Sequence, residues 1–484
     1  MFLWHSAIFI ASRALPGALG FATAILLTWF LPVDSFGLYG IGMAVVMMAN
    51  NVLYEWLGAC LTRWHETHKD EPAFMPTIMA LFAGVSLAAA TPVLAAAALG
   101  RTGGNGRLAC ILLFGTVAYG WFELSARVQV CRFQPVRYLV MTLLRNGLIL
   151  AGVLVAYLTR SAEATLLYGF AAMLAAGCLF LSGGRRWAWR RFDLHLAREF
   201  AAYGMPVGLM MIFSGLATTV TPIMIGALSG YQAVGAFTIG LTIVQSTLGV
   251  ISSGIASAGY PLAVRAVEGG DPSAVKAALT RNYTVLLALL LPAGVGLAAL
   301  SPGIADIFVQ PRYHDALVRT MPWLAAGAVL MGLRATYVDY AFYLGKRTGY
   351  LIQVVGAAAV INLCAGAALI PRYHELGAAV AMCGAFGVAL AHALFLARRA
   401  YPMPFPVQKT CGIALATGLM AAALGMRPVH SRGALGLAEQ VLCGLTAYSA
   451  SLGLLALLAS GITDPARFLR FSGRLRRTLA TLGR

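Results

Sequence analysis

Charged side chains interrupt five long apolar stretches of the sequence. At mid-depth in lipid such a charge costs about 2.5–3.5 kcal/mol, so each one is a candidate for binding or transport chemistry. An arginine is a permanent cation that can hold two oxygens of a phosphate at once, whereas a carboxylate accepts hydrogen bonds. The residues concerned are Arg13, Glu55, Glu123, Arg127, Arg145, Arg334 and Asp339.

Arg13 shares a helical face with four small residues, because spacings of three and four return to the same side of a helix. These residues are Pro16, Gly17, Gly20 and Ala24. A small-residue face has two interpretations here. Either it lets another helix approach closely, or it leaves room for a large headgroup whose anionic part contacts Arg13.

A second stripe mixes hydrogen-bonding groups with an acid and a gap, and it consists of Asn51, Tyr54, Glu55, Gly58 and Thr62. Such a stripe suits the wall of a cavity that receives hydroxyl-rich ligands. Its alternative role is a buried polar network that ties helices together. A third stripe, Thr116, Tyr119, Gly120, Glu123 and Arg127, has the same character, but Glu123 and Arg127 are four residues apart and can neutralise each other.

The remaining charges are Arg145, beside Asn146, and the Arg334 and Asp339 pair. Arg145 either extends its charge to the membrane interface or faces the cavity. Arg334 and Asp339 are five residues apart and point about 140° away from each other on a regular α-helix. We therefore expect their partners on other helices.

The composition requires a lipid environment for these groups. Of the 484 residues, 60% are hydrophobic and 11% are charged, against roughly 25% charged in an ordinary soluble domain. The net charge of +18 arises mostly from Lys and Arg in short segments between apolar runs, so it indicates topology and does not predict a nucleic-acid partner. The cysteines are scattered singly, and no P-loop or nucleophile elbow is present.

About 20 apolar residues span a bilayer, and this length predicts an all-α integral membrane protein with about fourteen transmembrane helices. Their approximate limits are 8–31, 38–62, 76–99, 108–130, 138–159, 164–183, 201–228, 234–258, 282–300, 319–343, 350–370, 376–397, 409–426 and 435–460. With the N-terminus in the cytoplasm, the predicted inner segments contain 24 Lys and Arg and the outer segments 8. The positive-inside rule therefore places both termini in the cytoplasm.

The arginine-rich segment before Phe200 predicts a division into two six-helix bundles followed by a helix pair. The predicted parts are residues 1–183, a cytoplasmic amphipathic linker 184–200, the second bundle 201–397, the pair 398–460 and a basic tail 461–484. A weak internal echo supports a repeat, because Phe36-Gly37-Leu38-Tyr39 and Val234-Gly235-Ala236-Phe237 enter corresponding helices.

Two groups of helix-entry motifs resemble those of the polysaccharide transporters in the multidrug/oligosaccharidyl-lipid/polysaccharide (MOP) exporter superfamily. The first is Ser12-Arg13, Leu31-Pro32 and Phe36-Gly37-Leu38-Tyr39; the second is Ile307-Phe308, Tyr313, Ala316, Gly345-Lys346-Arg347, Asn362, Ile370-Pro371 and Gly377-Ala378-Ala379. The resemblance covers residues 8–65 and 195–400, and it departs at the longer insert Arg372 to Leu376.

The resemblance implies a flippase that moves undecaprenyl-diphosphate-linked oligosaccharide across a bacterial inner membrane for surface polysaccharide assembly. It implies a central substrate cavity with cationic residues, and this favours Arg13 as a contact of the diphosphate. It implies no catalytic activity, cofactor or resident metal, although coupling to an ion gradient is open. The expected partners are the lipid-linked oligosaccharide, membrane lipids, and a polysaccharide polymerase or other assembly proteins.

Three alternatives remain at this stage. A cation-coupled multidrug exporter would need accessible carboxylates, and none lies before Asp34 or across 201–258. A flippase for the peptidoglycan precursor is separable by the lethality of its deletion. A membrane-embedded sugar transferase or polymerase would show a larger outer loop with catalytic residues.

Two motifs lie outside these stripes. His65 and His68 lack the zinc-binding H-E-x-x-H spacing, so we do not predict a metal site there. The tetrapeptide Pro-Arg-Tyr-His occurs at 311–314 and again at 371–374, in two predicted outer loops. Either both copies contact sugars, or they share a common way of ending a loop.

Overall fold

The computed structural model describes residues 2–68, 71–100, 106–132, 134–181, 192–426 and 433–459, and these ranges contain helices and no strand. The first half consists of α1 (Phe2–Phe30), α2 (Val33–Leu53), α3 (Glu55–His68), α4 (Phe74–Ala98), α5 (Gly106–Cys131), α6 (Pro135–Thr159) and α7 (Ala162–Leu181). The all-α class is confirmed.

The second half begins after the arginine-rich linker. It consists of α8 (Leu194–Thr218), α9 (Thr221–Ser229), α10 (Tyr231–Val244), α11 (Val250–Glu268), α12 (Pro272–Ala299), α13 (Ser301–Phe308), α14 (Pro311–Leu333), α15 (Tyr340–Leu344) and α16 (Gly349–Ala400). Two further helices, α17 (Val407–Met426) and α18 (Ala434–Ala459), follow. Five-residue π-helical turns lie between α10 and α11 and between α14 and α15.

Ten helices in the described ranges are long and apolar enough to cross a bilayer, or up to eleven if the bent pair Leu194–Gly204 and Val207–Thr218 is one span. The number fourteen stays a prediction. One reason for the difference is that α16 covers two predicted spans in 52 residues, about twice the length that a bilayer needs. Its backbone leaves the helical conformation at His374, with φ 51° and ψ −127°.

The predicted second span is also interrupted. Tyr54, with φ −124° and ψ −19°, separates α2 from α3. Of the predicted linker 184–200, the residues up to 191 lie outside the described part, and α8 begins where Asp193 accepts a hydrogen bond of 2.7 Å from the His195 backbone. The tail 461–484 is likewise outside the described residues, and the domain limits stay predictions.

One hydrophobic core joins the two halves at the end of the molecule where α1 finishes. It is formed mainly by α10, α12, α14 and α16, and it includes Leu27, Leu31 and Phe36 from the first half. Two smaller cores lie among the other helices of the first half, one of them completed by Leu196 and Phe200 of α8. The halves therefore share buried surface at two places.

The two echoed motifs meet at the contact between α2 and α10. A Cβ atom on Gly37 would lie 1.9 Å from the backbone oxygen of Tyr231, and one on Gly235 would lie 3.1 Å from the Phe36 ring. Gly40 has the same role one turn further, where a Cβ would lie 2.9 Å from the Thr238 hydroxyl. Glycine is required at Gly37 because the neighbouring atom is backbone and cannot rotate away.

We expect Gly37→Ala to lower the melting temperature of the purified protein, because the added methyl group forces α2 away from α10. Overpacking of this kind costs about 1–3 kcal/mol. The matched control is Gly84→Ala in α4, where a Cβ meets nothing within 4 Å. Equal melting temperatures for the two variants would show that this contact does not limit stability.

Candidate functional site

Four of the predicted charges form one group on α3, α5 and α6, which we call the four-charge cluster: Glu55, Glu123, Arg127 and Arg145. Arg127 forms an ion pair with Glu55, and Arg145 Nη1 lies 3.7 Å from Glu123 Oε1. The Arg145 guanidinium also lies 4.4 Å from the centre of the Phe122 ring. The cluster sums to zero charge.

These pairings differ from the predicted contact between Glu123 and Arg127 on one helix. Among the described side chains both acids pair across helices, and each arginine selects the acid on a neighbouring helix. Arg145 therefore lies beside Glu123 and Phe122. The two environments predicted for it, the membrane interface and the cavity, did not specify these partners. The four side chains keep between 20% and 33% of their surface exposed, so a ligand can reach them.

Glycines make room for this cluster. A Cβ on Gly58 would lie 2.6 Å from Arg127 Nε, and a Cβ on Gly120 would lie 2.4 Å from the Tyr54 ring. Arg127 of α5 thus fills the gap that Gly58 leaves in the second stripe, and this places Arg127 beside α3, the helix that carries Glu55. Sequence reasoning identified Gly58 as a gap but did not identify its occupant.

The remaining members of the second stripe face other neighbours. Tyr54 is 4% exposed, packs against Phe82 with ring centres 4.6 Å apart, and shares a hydrogen bond of 2.8 Å with the Ser86 hydroxyl. Asn51 lies at the boundary between the halves, because a Cβ on Gly215 of α8 would be 3.3 Å from its Nδ2. Tyr54 thus ties helices together, whereas Asn51 borders the second half.

Arg334 and Asp339 form a separate pair in the second half, with Nη1 and Oδ2 3.5 Å apart. From the angle of about 140° between them on a regular α-helix, Arg334 and Asp339 were predicted to have partners on other helices. This prediction is wrong, because the two residues pair with each other. The five residues from Arg334 to Val338 form a π-helical turn, in which the Asp339 N–H donates to the Arg334 carbonyl over 2.9 Å. Because a π-helix closes at five residues, it brings both side chains to one face.

This pair is more buried than the four-charge cluster and is incompletely satisfied. Its side chains are 12% and 8% exposed. Arg334 Nε and Nη1 and Asp339 Oδ1 have no hydrogen-bond partner among the described residues. Buried polar groups without partners are uncommon, and π-helical turns occur often at functional sites. Within the described residues, no ion pair joins Arg334 or Asp339 to the four-charge cluster.

Arg13 belongs to α1, but its side chain lies outside the described part of the structure. The face on which it lies can be followed from Gly17 onward. A Cβ on Gly17 would lie 3.7 Å from Val250, and one on Gly20 would lie 3.9 Å from Asn146 Oδ1. These are ordinary contact distances, so tight helix packing does not require glycine at these two positions. The face runs between the second half and α6.

Hydrogen bonds that the sequence did not reveal join the two halves at the end of α1. Arg312 Nη2 donates to the carbonyls of Thr28 and Leu31 over 3.0 and 2.9 Å, and Gln310 donates to Trp29 over 3.0 Å. The last carbonyls of a helix have no partner within it and attract cations. The only available signal was a charged residue in a short loop, which the sequence could not pair with α1.

Two surface pockets in the described part of the structure lie away from the four-charge cluster and from the Arg334 and Asp339 pair. One, of about 480 Å³, lies between α12 and α17 and is lined by the cations Lys276, Arg281 and Lys409. The other, of about 230 Å³, lies beside Arg312. No three His, Cys, Asp or Glu side chains within the described ranges lie close enough together to hold a metal ion.

The link between Glu55 and Arg127 is testable by a double-mutant cycle. We expect Glu55→Gln and Arg127→Gln each to lower the melting temperature, and the double variant to lose less than the sum, with a coupling of at least about 1 kcal/mol. The matched control is the pair Arg107 and Glu163, 3.1 Å apart, in which the arginine is 78% exposed; it should couple by less than about 1 kcal/mol. Additive losses at Glu55 and Arg127 would contradict the pairing.

The fold is shared with solved transporters of the MOP superfamily. A lipid II flippase, MurJ, in an inward closed conformation matches 93% of this chain and 98% of its own, with a TM-score of 0.76 and 14% identity. An inward-facing multidrug resistance transporter of the MATE family matches 81% and 97%, with a TM-score of 0.61 and 13% identity. A MOP transporter from Pyrococcus furiosus matches 81% and 95%, at 0.55 and 12%.

Comparison of the sequence with curated proteins gives no match. The structural matches have low identity, so they establish the fold alone. The sequence itself supplies the family. Residues 26–318, more than half of the chain, match the model described as polysaccharide biosynthesis protein, and the chain therefore belongs to that family.

Proposed function

We propose that this protein is a flippase for undecaprenyl-diphosphate-linked oligosaccharide repeat units, which it moves from the cytoplasmic to the outer leaflet for surface polysaccharide assembly. The observation that carries the proposal is membership of a polysaccharide biosynthesis family by a chain with a transporter fold. The substrate of such a protein has a sugar-diphosphate headgroup and a polyprenyl tail.

The charges of the described helices support Arg13 as the contact of the diphosphate. Both described groups are neutral in sum, because each arginine in them has a carboxylate beside it. An incoming diphosphate therefore meets no surplus cation in either group. By helical spacing Arg13 shares a face with Gly17 and Gly20, and this face runs between Val250 of the second half and Asn146 of α6. The four-charge cluster, with Asn51 at the boundary, would then contact sugar hydroxyls.

Alternating access supplies the mechanism. The headgroup enters between the halves while the polyprenyl tail stays in lipid, and the halves then rock to expose the other side. The bonds from Arg312 and Gln310 to the end of α1 hold the halves together at the predicted outer end. Outward opening must break these three hydrogen bonds and separate Gly37 from Tyr231.

The proposal places the protein in the bacterial inner membrane with both termini in the cytoplasm. Its partners are the lipid-linked oligosaccharide, membrane lipids and the polysaccharide polymerase that consumes the product. It needs no organic cofactor, and an ion gradient is its proposed source of energy. The orientation is supported by the excess of Lys and Arg in the predicted inner segments.

One observation favours a second candidate. The lipid II flippase matches nearly the whole chain with a TM-score of 0.76, and lipid II is also a polyprenyl-diphosphate-linked sugar. A peptidoglycan-precursor flippase would use the same headgroup chemistry at Arg13. The two candidates differ in whether growth or surface polysaccharide depends on the gene.

Topology is tested with single cysteines in a variant whose native cysteines are replaced by serine or alanine. We expect Asp193→Cys and Gly483→Cys to resist a membrane-impermeant thiol reagent in intact cells and to react after permeabilisation. Asp315→Cys, at a side chain that is 94% exposed in a predicted outer segment, is the control that should react in intact cells. The opposite pattern would reverse the orientation.

The function is tested by deletion and complementation. We expect deletion to make lipid-linked repeat units accumulate and surface polysaccharide disappear, and the wild-type gene to reverse both effects. Arg13→Ala should fail to complement while the protein remains in the membrane, because the diphosphate loses its cation. Arg13→Lys should restore export partly, since lysine keeps the charge but not the bidentate grip.

Arg107→Ala, at an exposed ion pair, should export polymer normally and serves as the control. If Arg13→Ala lowers folded protein in proportion to export, Arg13 is structural. If Arg13→Ala is abundant and exports normally, Arg13 is not in the site. Loss of growth with unchanged surface polysaccharide on deletion would select the peptidoglycan precursor instead.

A further inference from the structure

The smaller surface pocket brings together the two copies of the repeated tetrapeptide. Its volume is about 230 Å³, and it lies between the beginnings of α10 and α14 and the break within α16, on the predicted outer side. Arg312 and Tyr313 come from the first Pro-Arg-Tyr-His segment, and His374 comes from the second. Gln232 and Glu375 complete its polar lining.

The two copies do not share a structure. Pro311 occupies the first turn of α14, whereas Pro371 lies inside α16 three residues before the backbone breaks at His374. A common way of ending a loop therefore does not explain the repeat. The positive φ of 51° at His374 is unfavourable for a residue that has a Cβ atom. The break turns the chain so that His374 and Glu375 face the start of α14 across the pocket.

Polar groups at the pocket keep bonding capacity that the described residues do not use. Tyr313 lines the pocket but is 1% exposed, and its hydroxyl is buried behind the pocket wall. Arg312 uses Nη2 for both bonds to α1, so Nε and Nη1 take no part in them. The closest cation to Glu375 Oε1 is Arg319 Nη2 at 4.0 Å, which is beyond hydrogen-bonding distance.

This lining suits a neutral polyol better than an anion. Donors on Arg312 and Gln232 stand beside an acceptor on Glu375, and the Gln232 amide oxygen can also accept. Sugar hydroxyls likewise donate and accept, whereas a phosphate is mainly an acceptor and its negative charge would be repelled by the carboxylate of Glu375. The volume is below that of a drug-sized site, so it suits one small unit.

We propose that this pocket binds one sugar residue at the outer face, where it holds the oligosaccharide headgroup after the headgroup has crossed between the halves. The inference rests on the proposed function for the source of the sugar, and on the pocket itself for the binding. Because Arg312 also joins α14 to α1, a sugar held here contacts the residue whose bonds keep the outer end closed.

The test uses the full-length protein in lipid nanodiscs and saturation-transfer NMR with free glucose, galactose, mannose, rhamnose, N-acetylglucosamine and glucuronic acid. We expect at least one of these sugars to bind. Gln232→Ala should weaken that binding about fivefold, the effect of one lost hydrogen bond, because the Gln232 amide lines the pocket. Glu375→Gln should also weaken it.

His314→Gln is the matched control, because His314 lies on the same turn as Arg312 but pairs with Asp306 at 2.8 Å; sugar binding should be unchanged. Inorganic phosphate is added to the sugar-bound protein as a competitor, and it should not reduce the sugar signal. No sugar signal, a signal equal in all variants, or displacement by phosphate would overturn the inference. If polymer export depends on the gene but sugar binding does not depend on the pocket residues, the proposed sugar site is wrong and the proposed flippase function stands. If sugar binding depends on the pocket residues but export stays normal after deletion of the gene, the proposed flippase function is wrong and the sugar site stands.

Discussion

Electrical neutrality inside lipid is the constraint on which the arrangement of these helices depends. A charge removed from water is costly unless an opposite charge stands beside it. The described helices meet this condition across helices in the first half and along one helix in the second. The ion pair of Glu55 and Arg127 joins α3 to α5, and the contact of Arg145 with Glu123 joins α6 to α5. The same contacts that make the charges tolerable thus bind three helices together.

Departures from regular helix geometry make these arrangements possible. Tyr54 separates α2 from α3 immediately before Glu55, and Gly58 leaves the space that Arg127 fills. A π-helical turn replaces the regular α-helix between Arg334 and Asp339. Each irregularity has an energetic cost of its own, and each occurs where a charged or polar group must reach a partner. Regular helices serve mainly to cross the membrane.

The contacts between the halves also pair polar groups that would otherwise lack partners. The end of α1 exposes carbonyls that no residue of its own helix can satisfy, and Arg312 of the other half donates to two of them. Hydrogen bonds of this kind can be exchanged for bonds to water, as the proposed opening of the outer end requires. The shared apolar core around Phe36 and the close approach at Gly37 add packing that depends on both halves staying together.

Composition and periodicity determined the class of protein, because the share of apolar residues and the length of each run depend only on the order of residues. They also found the charged positions, the glycine gap at Gly58 and the small-residue face of α1. The partner of each charge depended on the tertiary structure. Glu123 selects Arg145 on α6 although Arg127 lies one turn away on its own helix, and the sequence cannot rank these two choices because it contains no distances between helices. Arg334 and Asp339 were separated by the assumption of 3.6 residues per turn, and only the folded chain shows the π-turn that brings them together. The meeting of the two Pro-Arg-Tyr-His segments also required the fold, since residues 60 positions apart become neighbours only when α14 and α16 pack side by side.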